Sequence, residues 1–378
     1  MKKLRNILLF LMYTLISIDV LIALPAFPGA GGYGANTRGA YGSPDHPISK
    51  PLILKVDSAS SFKSALGNSN PRIIIFTKGG TYDLGGSDAK IYNPYITIAG
   101  QTAPGGGVCF KNGALRVDAN NVIIRGLRWR TGMPRSTGSN RDCIGIEGDD
   151  LKDIIIDHNS LSWASDEIAV SWDYEDRITW SWNIISEGIG THGYGLLAGT
   201  YVKNSSIHHN LFAHLVMRMP ECNNGTNGEI INNVMYHWEG KATDFITGTQ
   251  YWDVKKNYYK QKVEESDHKA IKIYWPGYNQ YIINTNSRFF IEGNVGPNRP
   301  SSSSGGEWDM VYLEDGGGSG SQYAGPLRAN TSVLTAPPVV RVTEHKAEDA
   351  YNVVLEKVGA TAPLRDSVDL EVINDVIN

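Results

Sequence analysis

Asp153-Ile-Ile-Ile-Asp-His-Asn159 is followed by Arg177-Ile-Thr-Trp-Ser-Trp-Asn183, Ser205-Ser-Ile-His-His-Asn210, Gly228-Glu-Ile-Ile-Asn-Asn233, Trp252-Asp-Val-Lys-Lys-Asn257 and Arg288-Phe-Phe-Ile-Glu-Gly-Asn294. Each is a short run rich in β-branched and aromatic residues that closes on Asn. The closing residues are spaced by 24, 27, 23, 24 and 37 positions. A period in the twenties, holding about three strand-sized pieces, is the signature of a solenoid. One coil cannot bury its own faces, whereas stacked coils enclose a narrow apolar core. The pattern predicts an all-β fold, a right-handed parallel β-helix. The repeated Asn is expected at a bend, where it tolerates the left-handed conformation. Its amide is expected to bond its counterpart one coil along. Asn121-Val-Ile-Ile-Arg-Gly-Leu-Arg128 is an imperfect earlier copy. The leucine-rich-repeat consensus is absent here, and so are long amphipathic helices.

Outward from the repeats, the ends change character. Met1–Ala26 reads as an export signal: Lys2, Lys3 and Arg5 precede the nearly unbroken apolar run Ile7 to Leu24. A membrane anchor is the rival reading of that run; Asp19 within it favours cleavage. No Cys closely follows, which opposes a lipid anchor. Residues 27–345 are assigned to the β-helix domain and 346–378 to a C-terminal helical segment. Pro300 to Gly325 is rich in Ser and Gly and reads as a flexible loop. Ala347-Glu-Asp-Ala-Tyr-Asn-Val-Val-Leu-Glu-Lys357 has helical spacing, with Gly359 as its C-cap. That helix is expected to cover an open end of the solenoid.

Composition narrows the function. The net charge of −4 over 378 residues opposes nucleic-acid binding, which needs a basic face to neutralise phosphates. After signal cleavage no membrane association is expected, and the chain is expected to be a secreted or periplasmic monomer. The three cysteines, Cys109, Cys143 and Cys222, form no complete disulfide framework and match no zinc spacing. They read as unpaired packing residues.

Three patches in order resemble the pectate lyase family (polysaccharide lyase family 1). They are Asp142-Cys-Ile-Gly-Ile-Glu147 with Ile154-Ile-Ile-Asp-His-Asn159, then Trp163-Ala-Ser-Asp-Glu-Ile168, then His208-His-Asn-Leu-Phe-Ala-His214 with Arg218-Met-Pro220 and Asn232-Asn233. The resemblance covers roughly residues 27 to 260. It implies β-elimination in polygalacturonate or pectin, assisted by Ca²⁺, with Arg218 as base and Asp157, Asp166 and Glu167 as metal ligands. The chemistry agrees: the C5 proton lies next to a carboxylate and is poorly acidic, and a hard cation stabilises the charge left behind. Ca²⁺ takes oxygen ligands, mostly carboxylates. On a straight strand Asp166 and Glu167 point to opposite faces, so both serve only if the chain bends there.

Arg218 is an unusual base, since a guanidine is ordinarily protonated. A nearby cation would disfavour the charged form. The alternative is that Arg218 clamps a carboxylate in bidentate fashion. The chain departs from the family at Val170, where many members have a third acidic ligand, and at Asn223, where many have a second basic residue. His192 and Lys241 are candidates for replacement substrate contacts. Trp163, Trp172, Trp180 and Trp182 offer stacking surfaces for sugars, although the last two read as packing residues. A β-helical glycoside hydrolase and a non-catalytic carbohydrate-binding β-helix are the competing readings.

Overall fold

The computed structural model describes residues 25–43, 45–133, 141–262, 270–274, 282–313 and 325–378. The first 24 residues of the expected export signal therefore lie outside the described residues. Among the described residues, strands form three parallel sheets of ten, nine and eight strands. Each coil gives one strand to each sheet in turn, as in Lys152–Asp157, Ser160–Ser162 and Glu167–Ser171. The next coil repeats this with Asp176–Ser181, Ile184–Ser186 and Tyr194–Ala198. The chain is a β-solenoid, as the repeat predicts.

Strand alternation builds the interior. Ile124, Ile156, Trp180, Ile207, Ile230, Val254 and Ile291 are register partners on consecutive coils and stack into one buried column. Burying each such side chain contributes about 1.5–3 kcal/mol.

The Asn ladder forms. Asn183 Oδ1 accepts from the backbone N–H of Asn159 at 2.9 Å and from its Nδ2 at 3.1 Å. The same pair of bonds links Asn183 to Asn210, Asn210 to Asn233, Asn233 to Asn257 and Asn257 to Asn294. The left-handed residue, however, is the one before the Asn. His158, Trp182, His209, Asn232, Lys256 and Gly293 have φ between 51° and 66°. The left-handed residue makes the corner, and the buried amide beside it meets the otherwise unpaired backbone groups.

The open end is closed differently from expectation. Helix α1 (Ala59–Leu66), capped by Ser58 and Ser61, packs on Leu52–Val56 and Ala89–Ile91, which are edge strands of two sheets. Its Phe62 lies 4.5 Å from Phe110 between ring centroids, inside the main core. The predicted C-terminal helix is present as α2 (Ala347–Lys357), and Gly359 follows it at φ 83°. Helix α3 (Ser367–Ile377) comes next. Neither plugs an end: Val354, Leu355, Val372 and Ile373 pack on Ile184, Leu211, Val234 and Tyr236 along the flank formed by the eight-stranded sheet. An apolar stripe on a helix goes to the largest uncovered apolar face, and here that face is lateral. Of the Ser/Gly stretch, residues 314–324 lie outside the described residues. The part before them is structured, with Arg299 paired to Glu307 and Val311–Leu313 added to the nine-stranded sheet.

Two irregular segments cover the ten-stranded sheet. In residues 26–42, Tyr33 N–H donates to Ser206 Oγ and Gly34 N–H to Thr179 Oγ1. A Cβ on Gly34 would lie 2.2 Å from the carbonyl oxygen of Ile154, so the backbone can approach this closely only as glycine. The second segment, 332–346, joins the first: Gly32 N–H donates to Val340 O at 2.9 Å, and Tyr33 OH to Ala336 O at 2.9 Å.

Candidate active site

The nine-stranded sheet carries the site on its outer face. Gly145, Val170, Leu197, Glu221 and Asp244 are register partners across five coils. The residues before them in each coil, Asp142, Glu167 and Arg218 among them, come to the same face. A groove of about 550 Å³ is lined there by Asp142, Glu147, Asp166, Glu167, Arg218 and Glu221, with an apolar part beyond them.

Asp142, Asp166 and Glu167 place one carboxylate oxygen each within 4.8 Å of one another. The chain bends at Asp166, and the strand starts only at Glu167. The condition for both to face one way is thereby met. Burial pushes the Asp142 carboxyl up to about 6, against the pull of Arg116. Burial and then the hydrogen bond with Asp166 push Glu167 up to about 8, against the pull of Arg218. Crowded carboxylates with raised pKa values are short of positive charge. Their hard oxygen donors fit Ca²⁺, and more than one acidic side chain is available to hold it.

Arg218 is mostly buried, in the left-handed region at φ 67°. Its NH1 bonds Glu167 Oε1, its Nε lies 3.2 Å from Glu221 Oε2, and its guanidinium sits 4.6 Å from the Tyr194 ring centroid. Burial alone would lower its pKa, but Glu221 and Glu167 more than offset that and raise it. The cation expected beside Arg218 is thus replaced by carboxylates. Glu221, itself pushed up to about 8 by burial and Asp244, is a groove residue the sequence reading missed. Asp142 opens the first of the three patches, and its role as a groove carboxylate is not legible from that patch alone. Its signal was spacing, since it stands one coil length before Glu167.

Asp157 is not with this group. It ends a strand of the ten-stranded sheet and is 1% exposed. Ser181 Oγ donates to its Oδ1 at 2.7 Å, Arg125 Nε donates to its Oδ2 at 2.7 Å, and His158 Nδ1 lies 2.6 Å from Oδ2. Its assignment as a ligand is corrected: the carboxylate is fully engaged on another sheet. Lys241 is 7% exposed and held by Asp244 at 2.8 Å and Tyr274 OH at 2.7 Å, so it is no open substrate contact. His192 stands at the rim, its Nε2 3.7 Å from Asp166 Oδ1. Trp180 is core, Trp182 stacks between His158 and His209, and Trp163 donates to Glu187. Trp172 lines the groove. All three cysteines are free.

No family model matches the chain. It is 31% identical over 359 residues to the probable pectate lyase C of Emericella nidulans, covering 94% of this chain and 76% of that one. It is 32% identical over 365 residues to the probable pectate lyase C of Aspergillus fumigatus, covering 95% and 78%. Among solved structures, the major allergen from cedar pollen aligns at TM-score 0.64 and 16% identity, over 87% of this chain and 92% of that one. A pectate lyase from Bacillus sp. N165 in complex with trigalacturonate aligns at TM-score 0.59 and 17% identity, over 88% and 98%. The structural likenesses show the fold, a pectate-lyase-type β-helix.

Proposed function

Since the chain belongs to the pectate lyase family of polysaccharide lyases, we propose that it cleaves polygalacturonate or pectin by Ca²⁺-assisted β-elimination, with Arg218 as base. The observation that carries this reading is the shared groove of Arg218 and the trio Asp142, Asp166 and Glu167. The trio would hold the cation, which when bound supplies positive charge beside the uronate carboxylate and lowers the cost of charge developing at C5. Asp142 takes the place first given to Asp157.

Arg218 removes the C5 proton. The C5–H electron pair becomes the C4=C5 double bond, and the C4–O4 bond breaks with its electrons leaving on O4. This role requires the neutral guanidine, which Glu221 and Glu167 oppose. Glu167 belongs to the trio and also bonds Arg218, so a cation held by the trio would weaken Glu167's hold on the charged guanidinium. Tyr194 supports the guanidinium face. Arg116 bonds Asp142 and Glu147, fixing the groove wall. His192 is the rim residue within reach of a bound chain.

The reading includes export from the cell, supported by the Lys/Arg-then-apolar start of the chain. Among the described residues no helix is long and apolar enough to cross a membrane. Incubation with polygalacturonate and Ca²⁺ should raise the ultraviolet absorbance of the unsaturated product, and chelator should abolish the rise. Silence on every pectin, with or without metal, removes the lyase reading. Products with ordinary reducing ends and no double bond favour hydrolysis instead.

A further inference from the structure

Beyond the charged trio, the groove changes character. Val170 and Leu197, register partners on the sheet, give it an aliphatic floor, and Ile246, Trp172 and Asn223 also line it. The three aliphatic side chains are buried at 4%, 4% and 8% exposure, so they present a firm surface. Trp172 is 52% exposed, a large aromatic face left open to solvent. Its backbone is fixed, with its N–H donating to Ile146 O at 3.0 Å and Glu175 Oε1 at 2.9 Å. An open indole on a rigid turn beside a sugar groove is a stacking surface held in place in advance.

Charge sets what fits there. Among the described residues lining the groove, Arg218 is the single cation. It is already met by Glu167 and Glu221, while Arg116 is taken by Asp142 and Glu147. A second ionised uronate would find no partner, and the carboxylates nearest to it would repel it. Asn223 offers a neutral donor instead. Its Oδ1 accepts from Thr247 Oγ1 and from Asn224 N–H. Among the described residues no acceptor meets its Nδ2, and Asn223 lines the groove.

We propose that Val170, Trp172, Leu197, Asn223 and Ile246 form a subsite for an uncharged pyranosyl ring, which in a pectic chain is a methyl-esterified galacturonosyl residue. The ring stacks on Trp172, the ester methyl lies on the aliphatic floor, and the ester carbonyl accepts from Asn223. This rests on the lyase reading of the same groove and deepens it. The preferred substrate carries one free carboxylate for the trio and an ester beside it.

The test compares kcat/KM, with Ca²⁺ present, on polygalacturonate and on half-esterified pectin. The parent should favour the half-esterified polymer. Asn223→Arg should move the ratio about 10-fold toward polygalacturonate, because a supplied cation pairs with the free carboxylate. Ile246→Lys should move it the same way, which covers the case in which Asn223→Arg perturbs the turn. Trp172→Ala should raise KM on both polymers with little change in kcat. A parent rate that falls steadily with esterification, or cationic variants that leave the ratio unmoved, overturns the subsite. If no polymer yields product, the lyase reading fails, and the subsite is judged by tryptophan fluorescence. Quenching by half-esterified pectin that Trp172→Ala removes supports it. Equal or stronger quenching by polygalacturonate overturns it.

Discussion

Asp157 and Glu167 stand ten residues apart in one coil, each beside an arginine, and they live in opposite conditions. On the ten-stranded sheet Asp157 has Ser181, Arg125 and His158 around it. Burial alone would raise its pKa, but His158, Arg125 and Ser181 together hold it below the usual range. On the nine-stranded sheet Glu167 shares Arg218 with Glu221 and crowds against Asp166, and its carboxyl is pushed up to about 8. One carboxylate has all the donors it can use, and the other has too few. A motif names the residue type, but the count of donors decides whether it supports structure or does chemistry.

The contrast breaks first at Arg218. Arg218→Ala should cut the elimination rate by roughly 10²–10⁴-fold, the usual share of a general base, with the circular dichroism spectrum retained. An active Arg218→Ala protein leaves the guanidinium as a clamp at most. Asp157→Ala should act on the fold instead. Leaving half-buried Arg125 without its partner and the buried Ser181 hydroxyl without its acceptor costs about 1–3 kcal/mol by chemical denaturation, while calorimetric Ca²⁺ affinity in the folded protein stays as in the parent. A selective loss of Ca²⁺ binding would return Asp157 to the ligand set.

The covered sheet has its own exception in Glu229, buried under the two segments and bonded by Ser206. Burial, the largest influence, raises its carboxyl to about 7. The neutral form suits the fold, so this stability is fully present below the ordinary value near 4.5 and is lost as pH rises toward 7. The melting temperature of Glu229→Gln should therefore overtake the parent's increasingly between pH 5 and 8, by about 1–3 kcal/mol equivalent. A pH-independent difference sinks the assignment. The smallest effect sharpens the groove side. Asp142→Asn should weaken Ca²⁺ about 10-fold, or ~1.4 kcal/mol, without lowering the melting temperature.

The coil repeat was legible because one residue type recurs at each corner. Asn159 through Asn294 announce the stack, and the β-branched runs before them announce the core column. Arg218, Asp166 and Glu167 were named from the resemblance to the pectate lyase family, and the structure brings them to one groove. Asp157 was misread because its partners, Arg125 and Ser181, lie 32 and 24 residues away and carry no local mark. The left-handed corner was misplaced by one residue because Asn tolerates that conformation, and tolerance is not use. Helix α1 was missed because Ala59–Leu66 is short and Ser-rich. The flank position of α2 and α3 depends on Ile184, Leu211 and Val234 facing outward, which strand composition alone does not decide.

The buckle between residues 26–42 and 332–346 bears on cooperativity. A stack of coils alone has only nearest-neighbour couplings, so it can fray from either end one coil at a time. The Tyr33–Ala336 bond spans 303 positions and is made over coils that neither segment belongs to. Losing a middle coil undoes the buckle, and losing the buckle uncovers several coils together. The molecule should accordingly melt in one transition, slowly formed because its longest-range contact closes last.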